Sequence, residues 1–177
     1  MSRIVVPNML WVQHPEPAIA ERLDRVLREW DRTPYESGQR IKGLAADCLG
    51  AVFGVIDEMD GRERAITPEF PPDTAMHSAD TARKAMRRLL RLYAPNDKVD
   101  LPPNGVFRVR PGDVVITSYV GGGPGHVAMV GCRKNELWHS LPDNGGFTQR
   151  GWGFYDEQEI CAVYRSADQE RWRDATE

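Results

Sequence analysis

Near residue 105 the spacing of apolar residues changes period, and this change constrains the fold more than any other feature of the chain. Before it, apolar side chains recur at helical intervals; after it, short runs rich in β-branched and aromatic residues alternate with turn signals. In "PAIAERLDRVLREW", Ile19, Leu23, Val26, Leu27 and Trp30 fall on one face, with Pro17 in the tolerated first turn, which predicts a helix of about four turns. "DRTPYESGQRIKG" reads as a loop, punctuated by Pro34, Gly38 and Gly43. A second helix is expected from Asp47, a strong N-cap, because Leu49, Val52, Phe53, Ile56 and Met59 recur with helical period and Cys48 is its first residue. A third, starting between Asp73 and Asp80, carries Ala82, Met86, Leu89, Leu90 and Tyr93 on one side. The runs "VFRV", "DVVITSYV", "HVAMVG", "ELWHS" and "ICAVYR" then read as strands, separated by "RPGD", "GGGPG", "CRKN" and "PDNGG". Helices followed by strands predict an α+β fold with an antiparallel sheet.

The chain of 177 residues is long enough for one domain with a real core and short for two, so a single unit over 1–177 is expected. Its core should span about 17–165, with an insertion at about 60–104 and a charged tail at 166–177. With 41% hydrophobic and 28% charged residues and a net charge of −3, nothing global points to nucleic acid. The apolar start "MSRIVVPNMLWVQHPEP" is broken by Pro7, Asn8 and Gln13 and is too short for a signal peptide or a membrane span; synthesis in the cytoplasm without membrane insertion is the expectation. Cys48, Cys132 and Cys161 are odd in number and widely spaced, which argues against a disulfide framework.

A thiol at the first position of a helix meets unpaired backbone N–H groups and the positive end of the helix dipole, and both favour the thiolate. A nucleophile also needs a base, and the base an orienting partner. His126 and His139 are the candidates, because "HVAMVG" and "ELWHS" read as neighbouring antiparallel strands whose pairing can bring both imidazoles to one face. If the cysteine helix packs on that face, Cys48, His126 and His139 form nucleophile, general base and orienting group. A zinc site of Cys48, His126, Cys132 and His139 is the rival constellation, although its spacing matches no zinc pattern. Trp138, next to His139, is placed to wall a cleft, whereas His14 and His77 read as solvated side chains. "GGGPGH" reads as a hairpin connection rather than a phosphate loop, lacking both the spacing and a following helix. In the helix around 80–93, Arg83, Lys84, Arg87, Arg88 and Arg91 form a solvated basic face or a contact for an anionic polymer or another protein.

"TPYESG" followed by "ADCLG", then "RPGDVVI", "GHVAMVG" and "LWHS", resembles the NlpC-type, papain-like cysteine peptidases that cut bacterial cell-wall stem peptides, over most of Trp30 to Tyr164. The resemblance implies a papain-like fold with N-terminal helices packed on the sheet. It also implies Cys48 as nucleophile, His126 as general base and acid, and His139 as third member. Tyr35 would contact substrate or oxyanion, Asp47 would border the substrate pocket, and the Cys48 N–H would donate to the oxyanion. Leu49 stands where many members have Ser, and "ADCLG" with a long Pro-containing insertion is similar to the branch encoded with bacteriophage tail genes. That branch implies a virion component working beside other tail proteins, with the peptidoglycan stem peptide as substrate and no cofactor or metal. The alternatives are a tail structural protein that retains the fold, and a related amidase or acyltransferase.

Overall fold

The computed structural model describes residues 9–61, 98–99, 105–119, 126–152, 158–166 and 172. In chain order these form β1 (Met9–Trp11), α1 (Pro17–Trp30), β2 (Arg40–Ile41), β3 (Ala45–Ala46), α2 (Cys48–Met59), β4 (Lys98–Val99), β5 (Phe107–Val109), β6 (Val114–Tyr119), β7 (His126–Val130), β8 (Glu136–Leu141), β9 (Gly146–Gly151) and β10 (Gln158–Tyr164). The third helix expected around 80–93, its basic face, His77, the "GGGPG" connection and most of the tail lie outside the described residues.

Both expected N-terminal helices form where their periodicity places them. α1 has Pro17 in its first turn and buries Ile19, Leu23, Val26, Leu27 and Trp30. α2 buries those five predicted residues and also Ala51, Gly54, Val55 and Asp57, so it is the central helix, covered on every side. The two helices meet where the Trp30 indole lies on Gly54: a Cβ there would come within 2.1 Å of the ring. Trp30 Nε1 also donates to Glu58 Oε2 at 2.9 Å, which pins the indole in this pose. Gly54→Ala should therefore lower unfolding stability by about 2 kcal/mol through overpacking, read as a drop in urea midpoint at constant m-value.

Six strands form one antiparallel sheet in the order β4-β10-β6-β7-β8-β9. One face, with Val114, Ile116, Val127, Met129, Trp138 and Phe147, packs against α1 and α2. The other carries Val115, Ala128, Val130, Leu137 and Val163 and is covered by Phe107 and Val109. Covered on both faces, β7 has no exposed residue, which is why "HVAMV" reads as continuous rather than alternating.

Three expectations change. "VFRV" forms β5, but it pairs in parallel with β1 as a separate ribbon instead of joining the sheet. The loop before Cys48 contains a short hairpin, β2 with β3, registered Arg40↔Ala46 and Ile41↔Ala45. Its Arg40 forms an ion pair with the buried Asp57 of α2. His14 is buried, not solvated, and its Nδ1 accepts the Glu16 N–H at 3.0 Å at the entrance to α1.

Candidate active site

The start of α2 is assembled by one carboxylate. Asp47 Oδ1 accepts the Gly50 N–H at 2.7 Å, the N-cap bond expected of aspartate, while Oδ2 accepts the Gly38 N–H at 2.8 Å. The segment 34–39 is thereby folded onto the helix start, and Ala46 N–H donating to the Pro34 carbonyl at 2.8 Å holds its other end. The approach is so close that a Cβ on Gly50 would stand 2.0 Å from the Gln39 carbonyl oxygen. Asp47 is buried and bound by these amides, so it clamps the segment to the helix start. Tyr35 stands in the clamped segment and is half-buried. Asp47→Ala removes both acceptors and should destabilise the protein by about 2 kcal/mol, seen as a lower thermal midpoint.

Beyond the helix start, β7 and β8 part company. Their register runs through Val130↔Leu137 and Met129↔Trp138 and stops short of the histidines, although β7 reaches back to His126 and β8 on to Leu141. Two side-chain contacts form here, the first from β8 to β3 and the second between β7 and β8. The buried Ser140 hydroxyl donates to the Ala46 carbonyl at 2.8 Å, and His126 Nε2 meets His139 Nδ1 at 3.0 Å, with the rings 69° apart. The Cys48 sulfur stands at the same level, where the N–H groups of Val127, Leu49 and Cys48 itself point at it.

Cys48 thus reaches β7 one residue on from His126. Alternation assigns His126 and His139 to the sheet face of Ala128 and Leu137, opposite the helices, rather than to the helix-packed face expected from sequence. The helix start meets β7 at the Val127 N–H, which points at the Cys48 sulfur. Trp138 falls on the helix side, 2% exposed and tilted against Phe147 at 5.6 Å, so it is a core residue and not a wall of the cleft. Cys132 donates its S–H to the Ala20 carbonyl of α1 at 3.2 Å, so its thiol is committed to α1 rather than to the histidine pair, as the rival zinc constellation would require.

The electrostatics correct one premise. Cys48 is half-buried, and desolvation pushes its thiol up to about 12, with the Asp47 carboxylate adding to the effect and the three N–H groups opposing it. Helix-start stabilisation of a thiolate is present, but desolvation outweighs it. Burial, then the neighbouring His139, lowers His126 to about 3. Burial, then the Arg150 guanidinium, lowers His139 to about 4. These shifts all favour the neutral forms at neutral pH, a thiol and two imidazoles.

No family model and no curated protein matches the chain. Among solved structures it is similar to NlpC2 from Trichomonas vaginalis, with a TM-score of 0.52 and 12% identity, over 87% of this chain and 48% of that one. The chain therefore spans about half the length of that neighbour. At this identity the likeness is one of fold, a mixed helix-and-sheet NlpC-like architecture.

Sequence reasoning missed three features of the site: the bridge from Ser140, the Val127 N–H and the proximity of Arg150 to His139. The first two follow from the parting of β7 and β8, which leaves no mark on hydrophobic pattern. The third needs β9, paired His139↔Thr148, whose "GFTQRG" is too polar and glycine-bounded to announce a strand.

Proposed function

We propose that this chain is a papain-like cysteine peptidase that hydrolyses peptidoglycan stem peptides, at the bond between a D-glutamyl unit and a diamino acid. The observation that carries the reading is the 3.0 Å contact of His126 Nε2 with His139 Nδ1, with the N–H of Val127, the residue after His126, pointing at the sulfur of a helix-start cysteine. With His126 Nε2–H donating to His139 Nδ1, the remaining His126 nitrogen, Nδ1, carries a lone pair and is the general base.

As the Cys48 sulfur attacks the carbonyl carbon, its proton passes to His126 Nδ1. The oxyanion takes the first-turn Cys48 N–H, one of the donors a helix leaves unused at its start. His126 then protonates the departing amine, and water drawn on by the same imidazole hydrolyses the thioester. Tyr35, in the segment clamped beside the helix start, contacts the bound stem. Service in a virion alongside tail proteins is the setting we assign, on the resemblance of "ADCLG" and the long insertion to the tail-encoded branch.

Purified cell walls incubated with the protein test the reading by mass spectrometry of the released fragments. New amino and carboxyl ends inside the stem are expected. Release confined to the sugar–peptide amide, or no release at all, would overturn it.

A further inference from the structure

We propose that Ser140 is a positioning residue for the Cys48 thiol, its hydroxyl setting where the sulfur stands relative to His126 and His139 by holding the Ala46 carbonyl of β3 against β8. What that thiol does rests on the peptidase reading above; where it stands does not.

Three observations carry the inference. Ser140 and Ala46 are both fully buried, so their 2.8 Å bond is shielded from water, and an apolar side chain at 140 would leave a buried carbonyl without this donor. The bond is a direct tie between β3, which pairs with β2 in its own small sheet, and β8 of the six-stranded one; the other route between them runs from Ala46 through Pro34 and the bonds of Arg32 and Thr33 to Phe147 of β9. It also falls where the β7–β8 register has ended and β8 is held by its pairing with β9 alone, Ser140 opposite Phe147.

Consecutive residues of β8 then perform complementary tasks on opposite faces. Ser140 holds the peptide two residues before the nucleophile, and His139 holds the base at 3.0 Å. One short strand thereby sets both halves of the reacting pair. Loss of the hydroxyl frees the helix start to shift by a fraction of an ångström, which matters for a proton transfer, and lowers stability through the carbonyl left buried without this donor.

The test compares wild type, Ser140→Ala and Ser140→Thr for turnover on purified wall fragments. Iodoacetamide labelling of Cys48, read by peptide mapping from pH 6 to 10, and the thermal midpoint are measured alongside. For Ser140→Ala in a folded state, kcat should fall about 10- to 100-fold at unchanged KM. Labelling at pH 8 should meanwhile rise severalfold as the released sulfur gains solvent, and Ser140→Thr should recover both readouts. A folded Ser140→Ala with wild-type labelling and wild-type kcat would overturn the proposal, as would a lowered thermal midpoint with an unmoved labelling profile. Should Ser140→Ala not fold, Ser140→Cys keeps the volume with a weaker donor and is read by the same criteria. The labelling arm decides even if wild type cleaves no wall, so failure of the positioning role and failure of the peptidase reading are distinguishable.

Discussion

Cys48→Ala should reduce release of soluble wall fragments by about 10⁴-fold or more, to the level of buffer alone, while leaving the thermal midpoint close to that of wild type. The loss is large because the sulfur forms the covalent bond and nothing else at the start of α2 is nucleophilic. Stability is spared because the helix start is held by the Asp47 carboxylate and the Ala46 carbonyl, neither of which uses the thiol. Release that persists in Cys48→Ala would end the catalytic assignment.

The neutral resting site adds a second expected result. A cysteine already ionised would be alkylated by iodoacetamide at neutral pH faster than a free thiol. With Cys48 pushed up to about 12, labelling at pH 7 should be slower than for a free cysteine and should climb steeply above pH 9. The proton then leaves only as the carbonyl is attacked, with the neutral His126 to receive it. Rapid labelling at pH 7 would replace this general-base picture with a pre-formed ion pair and leave the peptidase reading intact.

Where local chemistry determines structure, the chain was readable in advance. Pro17, Asp47 and the helical spacing of their apolar partners located α1 and α2, and turn residues located β6, β7, β8 and β10. The fold class and the meeting of His126 with His139 followed from those elements. What stayed hidden depends on long-range contacts. Trp138 and His139 are neighbours in sequence and lie on opposite faces of one strand, so adjacency to a candidate base could not tell cleft from core. Asp47 is a fine N-cap in sequence, yet its second oxygen is taken by Gly38, which no local pattern reveals. β5 has the composition of a sheet strand, and only its pairing with β1 shows it as a cover for the sheet's second face. At the thiol, a helix dipole is visible in sequence and the desolvation that opposes it is not.

That burial has a consequence for the whole molecule at low pH. Wild type should lose about 5 kcal/mol of unfolding stability between pH 7.5 and pH 4.5, a large part of the total for a typical domain. His126 and His139 are 9% and 0% exposed and are lowered to about 3 and about 4, against about 6.5 in an unfolded chain. Between those limits the unfolded state binds protons that the native state refuses. Their contribution is therefore complete above pH 6.5 and drains away as pH falls towards 4 and then 3. The buried Asp113, raised by burial despite its bond to Arg165, works in the opposite direction, as a single group against two. Urea denaturation at both pH values checks the expectation in wild type and in the double variant His126→Gln, His139→Gln, which keeps polar side chains and cannot titrate. The double variant should lose less than about 2 kcal/mol over the same interval. Equal losses in the two proteins would show that the imidazoles are not held neutral, and with that the assignment of His126 as the resting general base would fall. Fragment release by wild type should survive acidification until the fold itself gives way, because the step that disarms the base is the same protonation that opens the sheet around it.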